Sequence, residues 1–217
     1  MTRRALSLLP ALLILLGTSL PVLLLRSHLG RGYYDQANYH WRVVTKFSAE
    51  LPRPDLSDYV SATTPLYHLV LAVIHRTVTQ EVVYHQLFGT LVSLVFLAVV
   101  WWFVSRAAAP AKAAVLMLPL ACSMYVIDPA IWVLPDNAGW LWVAVLLGTS
   151  FQFRLTHGRL ALCCVAMALL VLTRQSHVWC AAAIWMAAWM HTDGDGGAVA
   201  TDRAWGCLLY TSDAADE

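Results

Sequence analysis

The chain has 217 residues, 59% of them hydrophobic and only 12% charged, with a mean hydropathy of +0.62. Soluble domains carry about 25% charged residues, so this composition reads as a polytopic membrane protein. A net charge of +1 with no basic tract gives no footing for nucleic acid as a partner.

The first apolar run, "ALSLLPALLILLGTSLPVLLL" (5–25), follows Arg3 and Arg4. It is longer than a secretory signal core and has no small-x-small cleavage site. It reads as a retained first helix. The chain then leaves the bilayer through "YYDQANYHW" (33–41). Tyr33, Tyr34, Tyr39 and Trp41 suit the membrane interface. Asp35 among them is either a solvated loop acid or a general base poised to take a proton from an attacking hydroxyl.

Further on, "SATTPLYH" (61–68) sets Thr63 and Thr64 before Pro65. Either threonine could cap the helix that follows, with proline in its first turn. The apolar segment 65–75 is 11 residues long, a length that suits an interfacial or re-entrant piece. In the functional alternative this helix lies under the site and guides a lipid carrier.

Five more apolar runs follow, at 82–104, 112–127, 137–153, 159–173 and 178–190. With 5–25 they make six expected spans, although a crossing normally takes about 20 residues and the last two are short. If 65–75 does not cross, Arg3, Arg4, Arg106, Lys112, Arg154 and Arg159 share one side and, among the basic residues of short loops, Arg174 alone lies opposite. If it does cross, the basic residues divide evenly. The excess of basic residues on cytoplasmic loops selects the first topology, which sends Asp35, Asp128, Asp136 and Arg174 to one non-cytoplasmic face. Charges at a membrane edge are costly to hold and are functional candidates on that ground.

Asp136 directly precedes an apolar helix, where it could cap, bind substrate, or do both. Asp128 before Pro129 reads as turn chemistry. Arg174 in "TRQSHVW" (173–179) borders two weak spans. It is either a snorkelling arginine or a guanidinium awaiting an anionic phosphate, with Gln175 and His177 on the same turn. Cys122, Cys163, Cys164, Cys180 and Cys207 form no CxxC pair and read as inert thiols. His68 and His75 lie seven apart on one helical face, suited to interfacial contact or, less simply, to a metal. The chain has no Gly-rich phosphate loop, no HExxH and no GxSxG.

The last eleven residues, "CLLYTSDAADE" (207–217), resemble one reading frame of a transposon-type sequencing adapter. Residues 1–206 are then a single membrane domain belonging to a longer protein, and 207–217 an artefact.

Four motifs occur in order across residues 5–190: "YYDQANYH", "ATTPLYHLVL", "PDNAGWLWV" and "TRQSHVW". Together they resemble the GT-C class of integral-membrane glycosyltransferases, and most closely its dolichyl-phosphate-glucose alpha-1,2-glucosyltransferase family. The resemblance implies an all-α polytopic helix bundle with a long non-cytoplasmic first loop carrying an interfacial helix. It implies transfer of a hexose, glucose by family, from a polyprenyl phosphate to a lipid-linked oligosaccharide, with no dedicated organic cofactor and no metal. Asp35 would be the catalytic acid of the first loop. Gln36, Thr63, Thr64, Asp136, Arg174 and Gln175 would contact substrate. The family pairs two acids in the first loop, and Gln36 stands where the second would be. The location implied is the endoplasmic reticulum membrane in a eukaryote or the plasma membrane in a bacterium. A bacterial cell-envelope enzyme of the same class is the nearest alternative, and a transporter or non-enzymatic membrane protein the more distant one. As a piece of the family's length, residues 1–206 are not expected to transfer sugar alone.

Overall fold

The computed structural model describes residues 3–26, 30–59, 63–152, 156–189, 191–192 and 199–200. The tail 207–217 lies outside the described residues. Apart from a two-residue antiparallel pairing of His191–Thr192 with Val199–Ala200, the described chain is helices and connections, so the all-α expectation holds.

A short α1 (Arg3–Leu6) leads into α2 (Leu9–Leu24), where Pro10 sits in the first turn and costs no intrahelical hydrogen bond. After α2, α3 (Arg31–Asp35), a π-helical turn (Gln36–His40) and α4 (Trp41–Glu50) run as one rod. α5 (Leu66–Thr77) folds back along α4. α6 (Val82–Ala107) has 26 residues, roughly 39 Å of helix, against a hydrocarbon core of about 30 Å. Its buried stripe, His85, Gly89, Ser93 and Phe96, recurs at helical spacing and faces α8 and α9.

Among the described residues two helices, the stretch Arg4–Leu24 and α6, are long and apolar enough to cross a membrane. The expected span 112–127 is not one straight helix. It divides into α7 (Pro110–Ala121) and α8 (Met124–Ile131), bent by 67° at Cys122–Ser123. The bend keeps Val126 and Ala130 in the core beside Ala11, Leu15, Phe96 and Met117, while Met124 and Tyr125 are exposed. The remaining apolar runs form α9 (Asp136–Gln152), α10 (His157–Thr173) and α11 (Cys180–Trp189). These three pack on one another through Val143, Leu146, Cys163, Ala166, Leu170 and Cys180. Within the described residues they have 17, 17 and 10 residues, the first two at the lower limit of about 17 for a straight crossing.

Glycine sets two of the close approaches. A Cβ at Gly148 in α9 would overlap the Phe103 ring of α6, and one at Gly32 in α3 would overlap the Trp132 ring. The second contact seats the α3–α4 rod on the 132–135 connection, and so positions the polar end of the molecule.

Candidate functional site

The site begins with the π turn. Trp41 donates its N–H to the Gln36 carbonyl, five residues back. In an α-helix, residues five apart point about 140° away from each other. The wider turn narrows that angle and swings Asp35 and His40 toward one side. The Asp35 carboxylate accordingly pulls the His40 pKa upward, while Arg174 pushes it down. Burial outweighs both and drives His40 down to about 4. Single-turn π insertions are rare and frequent at functional sites.

His40 opens a hydrogen-bonded chain. Its Nδ1 lies 2.8 Å from Nε2 of His68, and the two rings stack at 5.1 Å and 7°. His68 Nδ1 is 3.0 Å from the Tyr59 hydroxyl, which is 3.2 Å from Thr63 Oγ1. Burial, with His40 beside it, drives His68 down to about 3, so both imidazoles are neutral at neutral pH. A neutral imidazole carries one N–H and one bare nitrogen. If Tyr59 donates to His68, then His68 donates to His40, and the outer nitrogen of His40 carries a proton. If the chain runs the other way, that outer nitrogen is bare and can accept one. Reversing the chain therefore moves a proton's worth of function to the surface with no net charge buried.

Arg174 is held from the other side of the site. Its guanidinium donates to an Asp136 carboxylate oxygen in a partly buried ion pair. Partial burial lowers the Arg174 pKa, but a guanidinium stays charged across the working pH range. Gly139 lies one turn into α9, and a Cβ there would stand 3.5 Å from both Arg174 Cβ and His177 Cδ2. The start of α9 and the 174–177 turn are therefore in close contact. The Trp140 ring covers His177 at 4.9 Å, and burial, then Arg174, lowers the His177 pKa.

The sequence-predicted residues thus divide. Asp136 and Arg174 pair at the start of α9, Asp35 and Arg174 shift the His40 pKa in opposite directions, and Thr63 joins through Tyr59. Asp35 itself makes no hydrogen bond or ion pair among the described residues. Asp136 is the first residue of α9 and its carboxylate goes to Arg174, so it does not cap the helix as expected. A carboxylate still suits that position through the helix dipole. Neither threonine caps α5. Pro65 stands at the cap, while Thr64 donates to the Val171 carbonyl and ties α5 to α10. Gln36 turns away from Asp35: its Oε1 accepts from Val133 N–H at 2.9 Å and from Gln86 Nε2 at 3.1 Å. Gln175 is exposed. His75 does not join His68. It meets Ser48 at 3.0 Å and packs by Trp41 and His85.

Sequence reasoning missed His40, Tyr59 and Asn137. Asn137 is buried and donates to Ser93 Oγ and the Val126 carbonyl at 2.6 and 2.7 Å, fixing α9 to α6 and α8 just past Asp136. A polar residue inside an apolar run was the available signal for Asn137. For His40, 28 residues from its partner, no such signal existed. Among the described residues, no group of three or more His, Cys, Asp or Glu gathers as metal ligands. Comparison with known proteins returns no match: no family model, curated protein or solved structure aligns with the chain.

Proposed function

We propose that the chain is the amino-terminal part of a membrane hexosyltransferase that takes its sugar from a polyprenyl phosphate and passes it to a lipid-linked glycan. In this reading the fold is a polytopic bundle of the GT-C type. α3–α5 form the long non-cytoplasmic first loop, and α5 is its interfacial helix. The observation that carries the reading is one juxtaposition. An unpartnered carboxylate, Asp35, and a partly exposed guanidinium, Arg174, flank the same imidazole at one end of the helices.

Inverting transfer needs those two groups. Asp35 takes the proton of the acceptor hydroxyl as its oxygen bonds to the anomeric carbon. The bond from that carbon to the phosphate oxygen breaks, and the departing phosphate carries the electron pair. Arg174 offsets that charge with guanidinium N–H groups not committed to Asp136, and Asp136 is its positioning residue. The neutral His40–His68 pair keeps a third, protonatable nitrogen beside Asp35 without a buried charge.

The bent α7–α8 pair gives the transporter alternative its one supporting feature, since broken helices line transporter sites. Exposed residues flank this break, however, and the polar residues described above gather elsewhere.

The test uses the 217-residue chain in lipid nanodiscs with radiolabelled dolichyl-phosphate glucose. Donor binding is expected to persist in Asp35→Asn and to weaken by about tenfold or more in Arg174→Ala, the loss of one charged hydrogen-bonding partner. No donor binding by the parent chain, or equal binding by both variants, would sink the reading.

A further inference from the structure

A second polar site lies on the opposite side of the α3–α4 rod from Asp35. It is a cavity of about 260 Å³, just below the range of roughly 300–1,000 Å³ usual for small-molecule pockets. Val22 and Arg26, at the end of α2, form one wall; Glu81, Val82, Val83 and Gln86, at the start of α6, form another. Tyr33, Gln36 and Trp41 close it from above. α2 and α6 are, among the described residues, the two helices long and apolar enough to cross a membrane, so in an inserted chain the cavity opens at the bilayer edge.

Its polar groups are sorted. The Val133 N–H, which must find an acceptor, fixes the Gln36 amide with its oxygen inward, so its NH₂ group is left over as a donor. Gln86 spends its own NH₂ on that same oxygen and is left with an unused carbonyl. Both side chains are buried overall, but Gln36 Nε2 and Gln86 Oε1 are not among the side-chain atoms sealed off without a partner, so both stay accessible. Arg26 and Glu81 add a cation and an anion, and neither makes an ion pair among the described residues. Arg26 holds φ at +49°, a left-handed conformation that non-glycine residues rarely adopt. The cavity thus offers one cationic donor with an amide donor, and one anionic acceptor with an amide acceptor.

We infer that this cavity binds the headgroup of a phosphoethanolamine lipid. Its phosphate would take the Arg26 and Gln36 donors, and its primary ammonium would give N–H bonds to Glu81 and Gln86 beside the Trp41 ring. Val22, Val82 and Val83 suit the glycerol and first methylenes, which assigns the headgroup to a bilayer lipid in preference to a soluble phosphoester. Choline has no N–H for the Gln86 carbonyl. A phosphoglycerol headgroup has no cation for Glu81, and a neutral sugar leaves both charges unused. The inference is one of binding and does not rest on glycosyl transfer.

Native mass spectrometry of the delipidated chain, titrated with phosphatidylethanolamine, phosphatidylcholine, phosphatidylglycerol and a glucosyl lipid, tests it. Phosphatidylethanolamine is expected to bind about tenfold tighter than the others. Glu81→Gln should bring the ethanolamine-to-choline ratio to about one, and Arg26→Ala should weaken both of those lipids alike. Both residues are exposed, so neither substitution threatens folding. Equal binding of all four lipids overturns the inference, as does preference for the glucosyl lipid. A preference for ethanolamine that both variants leave intact also overturns it, by moving the site elsewhere. Competition by soluble glycerophosphoethanolamine as strong as by the lipid would overturn the bilayer assignment.

Discussion

The apolar bundle of α2, α6, α7 and α8 and the polar end of α3–α5 satisfy buried polar groups in different ways. In the bundle, hydroxyls donate to main-chain carbonyls of their own or a neighbouring helix: Ser19 to Leu15, Ser93 to Gly89, Thr90 to Gln86 and Ala130. At the polar end the central bonds run between side chains, from His40 to His68 and from Tyr59 to His68 and Thr63. The first arrangement holds at any pH and depends on apolar packing. The second depends on the protonation state of two imidazoles, and on several segments arriving together.

Acid is the strongest way to separate the two regions. An unfolded imidazole takes up its proton near pH 6.5, but the folded His40 and His68 do so only near 4 and 3. Below pH 6.5 the unfolded segment therefore binds more protons, and stability falls as pH drops from 6.5 toward 4. By pH 5 the loss is roughly 2 kcal/mol from each histidine. Hydrogen exchange at pH 7 and 5, corrected for intrinsic rate, should show protection falling in 31–50 and 66–77 and holding in 93–107, beyond the turn where His85 packs on Trp41 and His75. A uniform loss would erase the distinction. His68→Leu should remove about half of the pH response, even if it lowers stability at pH 7, because His40 remains buried.

A steric probe comes next. Gly32→Ala drives a methyl into the Trp132 ring and should cost about 1–3 kcal/mol. Gly17→Ala, with nothing within 4 Å, should be neutral or mildly stabilising through helix propensity. Thermal unfolding of both in one detergent compares them, and equal midpoints would deny that the α3 seat matters. The smallest effect is Thr64→Val, which removes the bond to the Val171 carbonyl at about 1 kcal/mol. Denaturant titration should register that loss. An unchanged midpoint would mean that α5 is not tied to α10 there.

Much of the helical bundle was legible because hydropathy reports burial or lipid contact directly. The 5–25 and 82–104 runs became Arg4–Leu24 and α6, and the short 65–75 piece became α5, packed on α4. The bend at Cys122–Ser123 was not legible, because the residues on both sides are apolar and only the direction of the chain changes. At the site, Asp136 and Arg174 drew attention as charges beside apolar runs, and they meet. The cap role weighed for Asp136 does not arise, because α9 already includes Asp136 as its first residue, and the carboxylate meets the Arg174 guanidinium. The His40–His68 pair depends on chain reversal between α4 and α5, which no local pattern encodes.

The π turn at Gln36–His40 also bears on how such a chain can change over time. It lets the rod carry one residue more than an α-helix would fit between the Gly32 seat and Trp41. Losing Ala37 or Asn38 would rewind it to α-helix and leave Asp35 and His40 four residues apart, about 40° from each other on one face. The face that Asp35 serves would survive such a deletion. The turn thus holds a spare residue: here the chain can shorten by one codon without moving the site, a route of change that a plain α-helix does not offer.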